Sequence, residues 1–189
     1  MAIEALEHAF ESTRRILANV KADQMDAPTP CASWKVRDLI NHIVGGSVWF
    51  GKSMDAGESS DDGSKMPDFA AGDYLATFDG GVKGSLAAFE QPGALEKTVK
   101  LPFGTFPGGA FLGLATTDAF VHGWDLAKAT GQPADLEPDL ARQLLDGAKA
   151  TIPDQFRGAD GVAPFGPPVD VPASAPAADQ LAGFLGRTP

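Results

Sequence analysis

The sequence predicts an all-α protein: a four-helix bundle with short additional C-terminal helices and a small extended arm. Three observations carry that expectation. Apolar residues recur at spacings of three and four in four long stretches. Breakers or capping residues bound those stretches. The 189 residues, 43% hydrophobic and 21% charged, can bury one core and show neither an internal repeat nor a second-domain boundary, so residues 1–189 read as a single domain.

Ile3, Leu6, Phe10, Thr13, Ile16, Leu17 and Val20 share one helical face and predict a first helix from about Ala2 to Ala22. Asp26-Ala-Pro-Thr-Pro-Cys-Ala is a breaker loop. Ser33 is placed to cap a second helix from about Trp34 to Met54, with Val36, Leu39, Ile40, Ile43, Val44 and Val48 as its apolar stripe. Asp55 to Asp68 is acidic, nearly devoid of core formers, and reads as a solvated loop. A third stripe, Tyr74, Leu75, Phe78, Val82, Leu86 and Phe89, is weakened by Gly80 and Gly81 and ended by Gln91-Pro-Gly.

The segment from Lys97 to Gly109 alternates and turns, as an extended arm or a short hairpin would. A fourth helix is expected from near Gly109 to Thr130, closed by Gly131, with Pro133 preventing its continuation. A shorter helix spans Pro138 to Thr151. After a Pro- and Gly-rich tail from Ile152 to Ala175, Ala177 to Gly186 carries a last helical stripe through Leu181, Phe184 and Leu185.

Charge excludes several functions. With 15 Lys and Arg against 25 Asp and Glu, a net charge of −10 leaves no basic footprint for nucleic acid or an anionic membrane surface. A single cysteine, Cys31, forms no internal disulfide. The N-terminus has acids where a signal peptide carries basic residues, and the longest nearly apolar run, Gly108 to Ala115, is far below the roughly 18 residues that spanning requires. These features predict a cytoplasmic protein.

The chain has three histidines. On the fourth helix, Leu114, Asp118, His122 and Asp125 all fall within about 60° of Phe111, so two acids and an imidazole share the face that the apolar residues bury. Buried ionisable groups are paired, hydrogen-bonded or bound to a metal. Asp118 and His122 are spaced i, i+4, which lets both close on one ion; a buried His–Asp hydrogen bond that only fixes packing is the alternative. A further ligand would come from another helix, where His42 sits at the edge of the apolar stripe beside Asp38, Gly46 and Trp49. His8 falls opposite the first helix's stripe and is assigned to solvent.

Thr29-Pro-Cys-Ala-Ser-Trp-Lys-Val-Arg-Asp-Leu-Ile-Asn-His-Ile-Val-Gly, Thr117-Asp-Ala-Phe-Val-His-Gly-Trp-Asp-Leu-Ala-Lys-Ala-Thr-Gly and Phe184-Leu-Gly-Arg resemble the mycothiol-dependent maleylpyruvate isomerase metal-binding family of DinB/YfiT-like four-helix bundles. The similarity covers nearly the whole chain. It implies a divalent metal held in the bundle core by His42, Asp118 and His122. The isomerase relatives carry Glu four residues before the second histidine, and many DinB relatives carry His, where this chain has the shorter Asp118. The isomerase also has an extra C-terminal domain that this length does not accommodate, which points away from maleylpyruvate as the substrate.

Two imidazoles and a carboxylate leave a coordination position open, as catalytic zinc sites do. The resemblance implies that mycothiol or another low-molecular-weight thiol is activated there, for thiol transfer or isomerisation of a small electrophile. Nitrogen and oxygen donors suit zinc or nickel best, with iron also compatible. The partners are then a small-molecule thiol and an electrophile, and a homodimer is compatible with the sequence. A non-catalytic metal- or ligand-binding bundle, for instance in stress response, is the alternative. Asp125 either orients a ligand imidazole, forms a helix-terminal salt bridge or is exposed to solvent. Trp34, Trp49 and Trp124 either wall the site or serve as core. Cys31 precedes the second helix, where a thiolate is favoured, or is a small buried apolar group. Arg187 reaches an anionic substrate or lies on the surface.

Overall fold

The computed structural model describes residues 2–61, 67–152, 154–159, 162–163 and 165–189. Its main helices are α1 (Ala2–Leu17), α2 (Val36–Ala56), α3 (Tyr74–Phe89), α4 (Gly108–Thr130), α5 (Pro138–Thr151) and α6 (Ala177–Phe184). Strands β1 (Thr98–Leu101) and β2 (Gly104–Pro107) form an antiparallel hairpin that pairs Thr98 with Pro107 and Leu101 with Gly104. The undecided segment before α4 is therefore a hairpin. α1 packs on α4 and α2 on α3; α2 also packs on α4, while α6 lies against α5 and α4. The core between them includes Leu6, Leu17, Leu39, Ile40, Phe78, Phe111, Phe120 and Trp124, all nearly or fully buried.

α1 ends five residues before the sequence pattern does. The Ile16 carbonyl accepts the Gln132 side-chain amide (3.0 Å) and the Asn19 N–H (3.1 Å), which tightens the last turn and releases the chain before Val20. α2 begins at Val36, so Ser33 is not its cap. Instead the Asp38 carboxylate accepts the Lys35 N–H at 3.0 Å, while the carbonyls of Ala27 and Met25 take the N–H groups of Val36 and Arg37. The preceding loop thus folds back onto the start of α2. α2 also continues through Asp55 and Ala56, and the chain beyond it is tied down: the Ser59 N–H bonds to the Lys100 carbonyl and the Lys100 N–H to the Gly57 carbonyl. Residues 62–66 of the expected loop lie outside the described residues.

α4 starts within one residue of the expected position and closes on Gly131 at φ 68°, a left-handed conformation suited to glycine. α2 and α3 meet at Gly51, where a Cβ would lie 2.8 Å from the Ser85 backbone nitrogen and 2.9 Å from its Cα. Alanine improves helix propensity by about 1 kcal/mol, but forcing a methyl against rigid backbone costs about 1–3 kcal/mol or more. Gly51→Ala is expected to lower Tm by several degrees, checked by thermal unfolding; an unchanged or raised Tm would show that the two helices slide apart freely.

Candidate metal centre

Four segments converge on one side of the bundle. Within the loop before α2, Thr29 Oγ1 accepts the Cys31 N–H (3.1 Å) and bonds the Trp34 carbonyl (2.9 Å), which holds Cys31 and Trp34 over the helix start. α2 contributes His42. α4 presents Asp118, His122 and Asp125 along one face, and the chain after α6 brings in Arg187.

His42 Nε2 lies 3.2 Å from Asp118 Oδ1, and His122 Nε2 lies 3.5 Å from the same oxygen. The two imidazole rings meet edge to face at 4.5 Å, and Trp34 lies against both, at 4.7 Å from His42 and 5.6 Å from His122. A ligand atom from each of His42, Asp118 and His122 falls within 4.8 Å of the others. Gly46 on α2 faces the carboxylate, where a Cβ would meet Asp118 Oδ2 at an ordinary contact distance of 3.4 Å. The side chains of His42 and Asp118 each keep 23% of their surface exposed, which leaves the cluster open to a small ligand.

Behind the cluster lies a fully buried carboxylate. Asp125 Oδ2 accepts the His122 Nδ1–H at 3.0 Å and the Cys31 thiol at 3.2 Å. Arg187 donates Nε–H to Asp125 Oδ1 (3.3 Å) and Nη2–H to Oδ2 (3.1 Å). Despite burial, the hydrogen bond from His122 and the charge of Arg187 lower the Asp125 carboxyl to about 2. With a carboxylate on Nδ1, His122 is assigned the tautomer that protonates Nδ1 and leaves Nε2 as a lone pair.

Burial and the neighbouring charge of His42 push His122 down from the ordinary histidine value. Burial also opposes charge on His42, but the adjacent Asp118 carboxylate outweighs it and raises that histidine. Asp118 is itself held below the usual carboxylate range by the two histidines, against the effect of burial. The His122 lone pair and Asp118 Oδ1 are therefore two acceptors facing each other at 3.5 Å. A cation relieves that opposition, and this donor set of two imidazole nitrogens and a carboxylate oxygen fits a divalent metal.

Cys31, His122 and Asp125 form a second group with donor atoms this close. The Arg187 guanidinium already stands beside it, with Nη2 at 3.1 Å from Asp125 Oδ2 and 3.8 Å from Cys31 Sγ. Its fixed positive charge takes the place that a cation would occupy.

The structure brings together all four residues singled out from the sequence: His42, Asp118, His122 and Asp125. His8 is exposed. Trp34 covers the site, whereas Trp49 packs on Phe50 and Phe111, and Trp124 is core with Nε1 bonded to Asp179 at 2.9 Å. Neither expectation for Cys31 holds as stated. Its thiol is a hydrogen-bond donor, and burial with the Asp125 charge pushes it well above the ordinary thiol range, opposite to a thiolate. Arg187 is also placed differently. Its side chain is 12% exposed, with Nε and Nη2 on Asp125 and Nη1 donating to the Leu185 carbonyl at 3.2 Å, so it is committed to the buried carboxylate and does not lie on the surface.

Comparison with known proteins agrees with this architecture. Residues 6–127 match the mycothiol maleylpyruvate isomerase N-terminal domain. Two uncharacterised proteins, from two strains of Mycobacterium tuberculosis, are each 42% identical over 184 residues, covering 97% of this chain and 96% of theirs. Two solved structures of the mycothiol-dependent maleylpyruvate isomerase, one of them a histidine-to-alanine variant, superpose with TM-scores of 0.60 and 0.59 at 16% identity. Each superposition covers 76% of this chain and 66% of the isomerase chain, so the match spans just under two thirds of that enzyme's length.

Proposed function

The chain belongs to the family of mycothiol maleylpyruvate isomerase N-terminal domains, and on that premise we propose that His42, Asp118 and His122 hold a divalent metal ion, zinc or nickel, for a reaction of a low-molecular-weight thiol. The observation that carries this reading is the convergence of the three donors from two helices, with Asp125 holding the far nitrogen of His122. Among the described residues no helix is long and apolar enough to cross a membrane. A cytoplasmic location, where such thiols are kept reduced, belongs to the same proposal.

With two imidazoles and one carboxylate, a bound metal keeps a coordination position open and lowers the pKa of the water or thiol that takes it. The chain's own contributions are orientation and shielding. Asp125 keeps Nδ1 of His122 protonated, so Nε2 is available on the cluster side. Trp34 lies over both imidazoles and keeps water from one side of them. Asp118 supplies the negative charge that balances a cation. The thiol would be mycothiol or a close relative, and the reaction thiol transfer to, or thiol-assisted isomerisation of, a small electrophile.

The test is turnover. Metal-loaded protein is incubated with mycothiol and a set of small electrophiles, maleylpyruvate among them, and thiol consumption and product are followed. Wild type is expected to turn over at least one electrophile, and His42→Ala to lose more than the 10–100-fold typical of groups that merely orient a ligand. Full metal loading with no turnover across the set would favour a bundle that binds metal or ligand without catalysis.

A further inference from the structure

The site is closed from behind by a residue of the C-terminal segment. Arg187 lies beyond residues 6–127, the span matched to the family domain, and 156 residues from Cys31, which it touches. Its delivery is built into the fold. α6 buries Ala178, Leu181 and Ala182, and its end is closed by the N–H of Gly186 on the Gly183 carbonyl (3.0 Å) and of Arg187 on the Ala182 carbonyl (2.9 Å). Gly186 has φ 91°, and a Cβ there would fall 2.5 Å from the Gly166 Cα, so only glycine makes this turn against the tail. Arg157 fastens the same stretch by donating to the carbonyls of Gly166 and Phe184 and lying 4.5 Å over the Phe184 ring.

We infer that Arg187 is a positioning residue for the metal centre: its guanidinium fork fixes the Asp125 carboxylate, with the Cys31 thiol as a further donor, and Asp125 in turn fixes the His122 imidazole. A carboxylate gripped through both oxygens by an arginine fork has one orientation. Here that orientation leaves Oδ2 3.0 Å from His122 Nδ1 and sets the ring so that Nε2 faces Asp118 and His42. Without the fork, Asp125 keeps only the thiol and the imidazole as partners, and the carboxylate is free to turn. Metal affinity is thereby tied to the Arg187 fork itself, through Asp125 and His122. This inference rests on the metal reading given above.

Cobalt(II) titration of the full-length protein tests it, because the visible absorption of a bound cobalt ion reports coordination geometry independently of turnover. Arg187→Met is expected to weaken cobalt binding by about 10–100-fold and to change the spectrum, with Arg187→Lys, which keeps the charge without the fork, in between. Should Arg187→Met fail to fold, Arg187→Gln is expected to show the same weakening. Leu181→Ala, which loosens α6 without touching Asp125, is expected to lower Tm and keep the wild-type spectrum. Wild-type affinity and spectrum in Arg187→Met or Arg187→Gln would overturn the inference and leave the metal reading intact. An equal change in Leu181→Ala would overturn it in favour of tail docking alone. Failure of wild type to bind cobalt or zinc would remove the metal reading and the inference with it.

Discussion

His122→Ala and His42→Ala are each expected to lose bound metal almost completely. Each removes one of three donors, and losing a donor costs more than the 10–100-fold that follows from disturbing a group which only orients one. Elemental analysis of protein grown and purified without chelator or affinity-tag nickel checks this. Wild type is expected to hold close to one divalent ion per chain. The two substitutions differ in one respect. His42 keeps 23% of its side chain exposed, so its truncation is expected to spare stability. His122 is half as exposed and bonded to a buried carboxylate, so its loss also lowers Tm. Loss of stability in His122→Ala with no metal in wild type would instead favour a buried His–Asp pair that only fixes packing.

Asp125→Ala is expected to be the most destabilising single change in the site. The carboxylate is fully buried and accepts from Arg187, His122 and Cys31. Removing one partner of a buried ion pair leaves an uncompensated charge and costs about 3–5 kcal/mol. At about 2–4 °C per kcal/mol for a chain of this size, Tm falls by roughly 10 °C. The same residue sets an acid sensitivity in the metal-free protein. Its folded pKa, about 2, lies below the value near 4 of an unfolded aspartate, so its contribution is complete above about pH 4 and is lost as pH falls through about 2. Each unit of separation corresponds to about 1.4 kcal/mol, so this group supplies about 2–3 kcal/mol of wild-type stability that disappears over that window. Urea unfolding of metal-free protein at pH 5 and pH 2.5 is expected to show a smaller pH difference in Asp125→Ala than in wild type.

The helices were legible because their cause is local. The apolar stripe and the Gly131 and Pro133 stop of α4 predicted that helix to within a residue of its start and to the residue at its end. Errors arose where tertiary contacts decide. Val20 continues the apolar period of α1, but Gln132, 116 residues away from Ile16, captures the carbonyl at which the helix ends. Ser33 has the right chemistry for a cap, yet carbonyls of the preceding loop already satisfy the first N–H groups of α2.

The site divides in the same way. Asp118, His122 and Asp125 share one face of one helix, so their proximity follows from helical spacing alone. His42 could be placed only at the edge of another helix's stripe. Nothing in local pattern announced that Cys31 and Arg187, at opposite ends of the chain, meet on Asp125. The one available signal was the buried acid itself: Asp125 on an apolar face required a cation and donors from elsewhere.

One divalent ion is expected among His42, Asp118 and His122. The most direct test is anomalous diffraction at the metal edge from crystals of the metal-loaded protein. A single strong peak is expected about 2.0–2.2 Å from His42 Nε2, His122 Nε2 and an Asp118 oxygen, distances typical of zinc with such donors. A peak between Cys31 and Asp125, or no ordered ion in protein soaked with zinc and nickel, would contradict it.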